Sequence, residues 1–182
     1  MSGLARLAHI IEQVNERLGR AVSWLALALV MVQFTVVVMR YVFGVSSIIM
    51  QESLLYLHGT LFMLAAGYTF LHEGHVRVDI FYREAGPRRR ALVDLIGALV
   101  FLVPFCIALW ALSWPYVASS WAVREGSAET SGIAAVYLLK GVILLFTGLI
   151  ALAGAARLMR CVLVLTGHQT PPAAGADEEI IL

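Results

Sequence analysis

Long uncharged runs alternate with short polar segments along this chain of 182 residues. The first such run covers residues 21–39 and lies between Arg20 and Arg40. At 1.5 Å per residue, an uncharged helix of about twenty residues matches the hydrocarbon core of a bilayer. The theme recurs three more times, so we predict four transmembrane helices, over about residues 21–43, 50–71, 91–117 and 134–160.

Residues 4–19 carry a different pattern. Their apolar side chains recur at spacings of three and four, which places them on one face of a helix: Leu4, Leu7, Ile11, Val14 and Leu18. We expect this amphipathic helix to lie flat in the membrane interface, with packing on the soluble part of another subunit as the alternative. The predicted fold is therefore all-α integral membrane, with four transmembrane helices in two hairpins plus an N-terminal amphipathic interfacial helix.

The composition agrees with a protein that resides in the lipid bilayer. Hydrophobic residues make up 60% of the chain and charged residues 14%, whereas a soluble domain is nearer a quarter charged. The net charge of +1 argues against a nucleic-acid partner, which would require a basic face. We expect one membrane domain over residues 1–165, with Cys106 and Cys161 buried in it, and a disordered tail over residues 166–182.

Two charges lie at the closed end of the first hairpin. Arg40 follows the first span and Glu52 begins the second, so the two fall at similar depth. A charge near the hydrocarbon boundary is costly unless it is paired or reaches water. We therefore expect Arg40 and Glu52 to pair with each other or with a partner protein, and independent contact with lipid headgroups is the alternative.

The loop between the second and third spans is the most basic loop of the chain. By the positive-inside rule it is cytoplasmic, which places both termini in the cytoplasm as well. Within it, His75, Arg77 and Asp79 are expected to cap the turn. Gly86-Pro87 ends the loop, since proline is favoured at the first position of a helix, and Pro104 predicts a kink in the third span.

The loop between the third and fourth spans is small, polar and slightly acidic, which suits the outer side of the membrane. It carries Glu125, Ser127 and Glu129, which we expect to face the periplasm. Lys140 lies near the outer end of the fourth span, where its long side chain can reach water.

Small residues recur along the fourth span at spacings that favour close helix packing: Thr147, Gly148, Ala151 and Ala155. This stripe is expected to contact a helix of the same chain or of a partner.

Histidines in the membrane suggest one alternative function. His58 and His72 are fourteen residues apart, so they share a helix face, as in a haem-binding electron-transfer subunit. Each haem would need a second axial ligand, and the other spans contain no histidine. A stand-alone small transporter is the other alternative, although few ionisable groups lie within the spans. No nucleophile, phosphate loop or dinucleotide motif indicates an enzyme, and no cofactor is expected.

Short motifs in a fixed order resemble the DctQ-type small membrane subunit of TRAP (tripartite ATP-independent periplasmic) transporters. They are Arg40-Tyr41-Val42-Phe43, Gln51-Glu52, Gly67, Gly74-His75-Val76-Arg77-Val78-Asp79 and the loop from Glu125 to Gly132. The resemblance spans roughly residues 20–160. This sequence departs from the family pattern at Gln51, where an acid is frequent, at Leu57-His58, near a frequent tryptophan, and at Ala134, where proline is frequent. These departures leave the substrate open.

The resemblance implies a scaffold role in the bacterial inner membrane. Such a subunit pairs with a large membrane subunit, which carries the sodium and substrate sites of the transporter. A soluble periplasmic protein delivers the substrate, typically an organic acid. Glu125, Ser127 and Glu129 would then lie near this delivery protein.

Overall fold

The structure, a computed structural model, describes residues 3–72, 74 and 85–167. This part of the chain is helical: α1 (Gly3–Val42), α2 (Ile48–Leu71), α3 (Pro87–Gly97), a π-helical turn (Ala98–Leu102), α4 (Val103–Ala122) and α5 (Val136–Leu165). The π-helical turn joins α3 and α4 into one span of 36 residues. Four helical segments within the described ranges are long and apolar enough to cross a membrane, which confirms the predicted four-span, all-α fold.

A tight turn after α1 closes the first hairpin. Gly44 adopts a positive φ of 66°, and the Val45 N–H donates to the Met39 carbonyl oxygen at 3.0 Å. A glycine in the left-handed conformation ends the helix here, since it has no Cβ atom to strain. The Ser47 side chain then accepts from the Met50 N–H and starts α2, so only a short link separates the two antiparallel helices.

Helix α4 lies at the edge of the bundle. Helices α1, α2 and α5 all pack against one another, whereas α4 contacts only α5 among the other described α-helices. Its buried residues Cys106, Val117 and Ser120 are spaced so that they form one narrow stripe. Most of the remaining surface of α4 is exposed. Both cysteines are buried and free, as predicted.

The predicted irregularity at Pro104 takes the form of the π-helical turn that precedes it. Proline has no N–H to donate, and its ring collides with the carbonyl four residues earlier in a regular helix. Here the Val103 N–H donates to the Ala98 carbonyl, five residues back, which widens the helix just before Pro104. At this bend Leu102 lies against Gly154 of α5, where a Cβ atom would have no room.

The N-terminal segment is not a separate helix in the structure, so the prediction of an interfacial helix is not confirmed. Residues 4–19 belong to α1, which continues for 40 residues, or about 60 Å. Two acidic side chains provide the physical reason. Glu12 bonds to Arg160 of α5 and Glu16 to His72 of α2, so this part of α1 stays packed on the bundle.

The face of α1 that packs also differs from the apolar face expected from the sequence. Leu4, Leu7 and Val14 are exposed, whereas the buried residues are mostly small: Ala5, Ala8, Asn15, Gly19 and Val22. Small side chains let two helix backbones approach closely. Close approach, rather than the burial of large apolar side chains, therefore determines this contact.

Two glycines set the distance between α1 and α2. A Cβ atom on Gly19 would overlap the Cβ and Cγ atoms of Tyr68, and one on Gly67 would overlap the Oδ1 atom of Asn15. Asn15 is buried, and its Nδ2 atom donates to the Ile11 carbonyl at 3.1 Å. A side chain at either glycine would therefore displace atoms of the neighbouring helix.

We expect Gly19→Ala to lower the thermal stability of the isolated subunit in detergent. Overpacking costs about 1–3 kcal/mol, and the higher helix propensity of alanine offsets only about 1 kcal/mol of this. Gly148→Ala is the matched control, because open space surrounds Gly148, and its melting temperature should be unchanged or slightly higher. Equal melting temperatures for the two variants would contradict the close contact at Gly19.

Candidate functional site

A carboxylate of α2 holds the loop between α4 and α5, residues 123–135. Glu52 accepts a hydrogen bond from the Ser127 hydroxyl at one oxygen, and its other oxygen accepts from the Ile133 N–H at 2.6 Å. Both bonds are charge-assisted and therefore stronger than bonds between neutral groups. We call Glu52, Ser127 and Ile133 the loop clasp, since they fasten the connection of the second hairpin to the first.

The loop is also ordered from within. The Ser127 N–H donates to the Ile133 carbonyl at 3.1 Å, and the Glu129 N–H donates to the Ser127 hydroxyl oxygen at 3.0 Å. Gly132 lies over this turn, where a Cβ atom would overlap the Ser127 hydroxyl. The Tyr56 hydroxyl adds a longer bond to the Ile133 carbonyl at 3.5 Å. Ser127 is thus the centre of a compact turn.

A cation forms the second fastening of this loop. Lys140 of α5 places its Nζ atom 2.5 Å from Oε2 of Glu125 and 4.2 Å from the centre of the Tyr116 ring. The Lys140 side chain is only 16% exposed. An ammonium group between a carboxylate and an aromatic face gains from both contacts. Nearby, Trp121 of α4 packs edge-on against Tyr137 of α5.

The ammonium group of Lys140 also lowers the pKa of Glu125 below its ordinary value of 4.5, chiefly through their hydrogen bond. Glu125 therefore remains ionised at mildly acidic pH. A depressed pKa in the folded state means that this carboxylate stabilises the fold above pH 4.5, and that the contribution is lost as the pH falls through the lowered pKa.

Ion pairs between helices also join the opposite end of the bundle. Arg160 binds both carboxylate oxygens of Glu12, at 2.8 and 2.6 Å. The Nε2 atom of His72 lies 2.6 Å from Glu16. Arg157 bonds to Asp94 at 2.9 Å and so ties α5 to α3.

All of these side chains except Asp94 border an open cavity of about 340 Å³. Its polar lining residues are His9, Glu12, Gln13, Glu16, His72, Arg157 and Arg160. Within the described ranges, no group of three histidine, cysteine or acidic residues could hold a metal ion. The arrangement is therefore a network of ion pairs between helices.

The predicted ion pair between Arg40 and Glu52 is not found within the described ranges. Arg40 is exposed, and the Glu52 carboxylate bonds to the loop clasp. The physical reason is that the loop offers two hydrogen-bond donors at the start of α2, including a backbone N–H. His75, Arg77 and Asp79 lie outside the described residues, as do residues 168–182 of the predicted tail.

The small-residue stripe of α5 is partly covered by the chain's own helices. Thr147 is buried and Ala155 half-buried, whereas Ala151 is exposed and a Cβ atom on Gly148 would meet open space. The buried small residues of α5 also include Ala153, Gly154 and Ala156. Packing of the stripe against a helix of this chain or of a partner stays a prediction.

The two membrane histidines have different surroundings. His72 is bonded to Glu16, whereas His58 is exposed on α2 and its ring stacks on Phe62 with centroids 6.4 Å apart.

Glu129 is exposed on the loop. The pairing of Glu125 with Lys140 was not predicted, although their opposite charges on either side of one short loop were a readable signal.

Comparison with known proteins gives one match. A family model described as "Tripartite ATP-independent periplasmic transporters, DctQ component" matches residues 29–164. The matched range includes α2 to α4 and most of α5, together with both fastenings of the loop. Neither the curated proteins nor the solved structures contain a match to the chain.

Removing the Glu52 carboxylate should loosen the loop. In Glu52→Ala, the Ser127 hydroxyl and the Ile133 N–H lose their acceptor, which costs about 1–3 kcal/mol. A cysteine introduced at Ile133, which is half-buried and keeps its backbone N–H, should then react with a membrane-impermeant maleimide at least about five times faster. Glu129→Ala is the control, because it removes an exposed carboxylate of the same loop. Labelling of the Glu52 variant at the wild-type rate would rule out the loop clasp.

Loss of the Lys140 charge should change how stability depends on pH. In Lys140→Gln, the pKa of Glu125 returns towards 4.5. The variant therefore lacks the stabilisation that Lys140 gives to the ionised Glu125 carboxylate, and wild type has this stabilisation in full only above that pH. The difference in melting temperature should be large at neutral pH and shrink on acidification below pH 4.5. Lys140→Arg keeps the charge and should keep the wild-type profile. A difference that stays constant with pH would contradict the assignment.

Proposed function

Since the chain belongs to the DctQ family of tripartite ATP-independent periplasmic transporters, we propose that it serves its transporter as a scaffold. The family is that of the small membrane subunit of these transporters. The proposed partners are a large membrane subunit, which carries the sodium and substrate sites, and a periplasmic protein that delivers an organic acid. The small subunit would anchor the static part of the large subunit in the bilayer.

The observation that carries this proposal is the fastening of both ends of the bundle. Glu12 and Arg160 join α1 to α5, and Glu52 joins α2 to the loop before α5. Each of these part-buried contacts satisfies a charged group, and breaking one leaves that group without its partner, which is destabilising. The contacts therefore favour one fixed arrangement of helices, which suits a support for moving parts better than a carrier that must change shape.

The fastened loop suggests how the delivery protein docks. The loop clasp holds Ser127, whereas Glu129 and Thr130 beside it are exposed. A preordered surface loses less conformational entropy on binding than a flexible one. We propose that this loop forms part of the docking surface, with Glu129 available to a basic group on the delivery protein.

The orientation is proposed from charge. Arg88, Arg89 and Arg90 lie in the first turn of α3, at the end of the bundle opposite the α4–α5 loop. The positive-inside rule places that end in the cytoplasm. Both termini would then be cytoplasmic and the α4–α5 loop periplasmic, in the bacterial inner membrane.

Co-purification tests the proposal. The tagged chain, extracted from its native membrane in mild detergent, should bring along a large membrane protein of the same transport system, identified by mass spectrometry. An unrelated four-span protein with the same tag is the control. Together with the delivery protein, the pair should show uptake of an organic acid driven by a sodium gradient in liposomes.

Two results would contradict the scaffold role. Uptake by this chain alone in liposomes would favour a stand-alone transporter. A Soret absorption band in the purified protein would favour haem-based electron transfer through His58 and His72.

A further inference from the structure

One narrow exposed stripe runs along α2. From Gln51 onward, the exposed residues of this helix are Gln51, Leu55, His58 and Phe62, which we call the α2 seam. The other residues up to Leu71 are buried or half-buried, since α2 packs against both α1 and α5. Successive members are four, three and four residues apart, the spacing at which one helix packs along another.

The α2 seam carries a polar side chain deep in the span. His58 lies six residues beyond Glu52, which is about 9 Å along the helix. Since Glu52 lies at the headgroup boundary and the hydrocarbon core is about 30 Å thick, His58 lies inside that core. Its ring stacks on Phe62 and has no hydrogen-bond partner in the part of the chain that the structure describes. Lipid tails provide none either, so an imidazole exposed to them is costly.

Three exposed hydroxyls of the spans are satisfied locally. The hydroxyls of Ser23, Thr35 and Ser119 each donate to a carbonyl of their own helix. The described residues give the His58 imidazole no such bond. A partner from outside this part of the chain would supply one.

The exposed surface elsewhere suits lipid. Along α5 the exposed residues between Val136 and Leu165 are all apolar: Leu138, Leu145, Ala151, Leu152 and Val162. Gln33, in contrast, is exposed on α1 nine residues before Val42, or about 14 Å from the helix end. It lies at nearly the depth of His58 on the neighbouring helix. Among the described residues of α1, α2 and α5, unsatisfied polar side chains inside the hydrocarbon core are thus found on the first hairpin.

We propose that a transmembrane helix of the large membrane subunit packs along the α2 seam, and that His58 hydrogen-bonds to a polar group of that helix. The inference rests on the proposed function, which supplies a membrane-embedded partner. The delivery protein is soluble and cannot enter the hydrocarbon core. A helix of the partner accounts for both the exposed seam and the unpaired imidazole. It would cover the apolar seam residues Leu55 and Phe62, and it would offer His58 the hydrogen bond that lipid lacks.

Photocrosslinking in the intact complex tests which surface is covered. The photoreactive amino acid p-benzoylphenylalanine replaces Leu55 in the α2 seam or, as matched control, Leu112 of α4, and both leucines are well exposed. Cells that make the whole transporter are irradiated, and the tagged chain is purified under denaturing conditions. We expect the Leu55 position to crosslink to the large membrane subunit and the Leu112 position to give no crosslinked protein.

Substitution of His58 tests the polar contact. His58→Leu should weaken retention of the large subunit about 3- to 20-fold in a detergent titration, the range for a hydrogen bond between membrane helices. His58→Gln keeps a donor and an acceptor and should restore most of the retention. Because His58 is on the surface of the isolated chain, both variants should melt at the wild-type temperature.

The outcomes separate the seam from the scaffold role. If wild type retains the large subunit but only Leu112 crosslinks to it, the seam is wrong and the scaffold role stands. A crosslink from Leu55 to a second copy of this chain would overturn the seam as well. If His58→Leu and wild type retain the large subunit equally, His58 makes no hydrogen bond to it. If wild type retains no large subunit, the scaffold role fails and the seam inference fails with it.

Discussion

Polar groups within a bilayer must find partners inside the protein, and this constraint determines where the chain places its charges. Water is absent from the hydrocarbon core, so an unpaired charge or backbone group there costs several kcal/mol. Charged side chains accordingly form bonds at the two ends of the bundle. Arg160 of α5 with Glu12 of α1, and Lys140 of α5 with Glu125 of the α4–α5 loop, are the clearest cases, and the loop clasp follows the same logic with a backbone donor.

The four spans could be predicted from the sequence because bilayer thickness limits helix length and excludes charge. Pro87 at the start of α3 and the irregularity before Pro104 could be predicted too, since both follow from the missing N–H of proline. The loop clasp could not be predicted. Its second donor is the backbone N–H of Ile133, and every residue except proline has such a group, so the sequence carries no mark of it.

Helix rotation was the least predictable property. Residues 4–19 read as an amphipathic helix, but Glu12 and Glu16 bond to α5 and α2, and these contacts decide which face packs. The stripe at Gly148 leaves the same choice open, because small residues occur on more than one side of α5. Sequence spacing identifies a face that can pack, and only the neighbouring helices decide which face does.

The loop clasp has a consequence for biosynthesis. Glu52 precedes Ser127 by 75 residues and Ile133 by 81, so the ribosome must complete the third span and the loop after α4 before the carboxylate meets its donors. At about 5–20 residues per second, the first hairpin waits several seconds with Glu52 in the hydrated headgroup layer. The nascent chain thus holds an acidic anchor at one membrane surface until the α4–α5 loop emerges, and the clasp can close before the last span is complete.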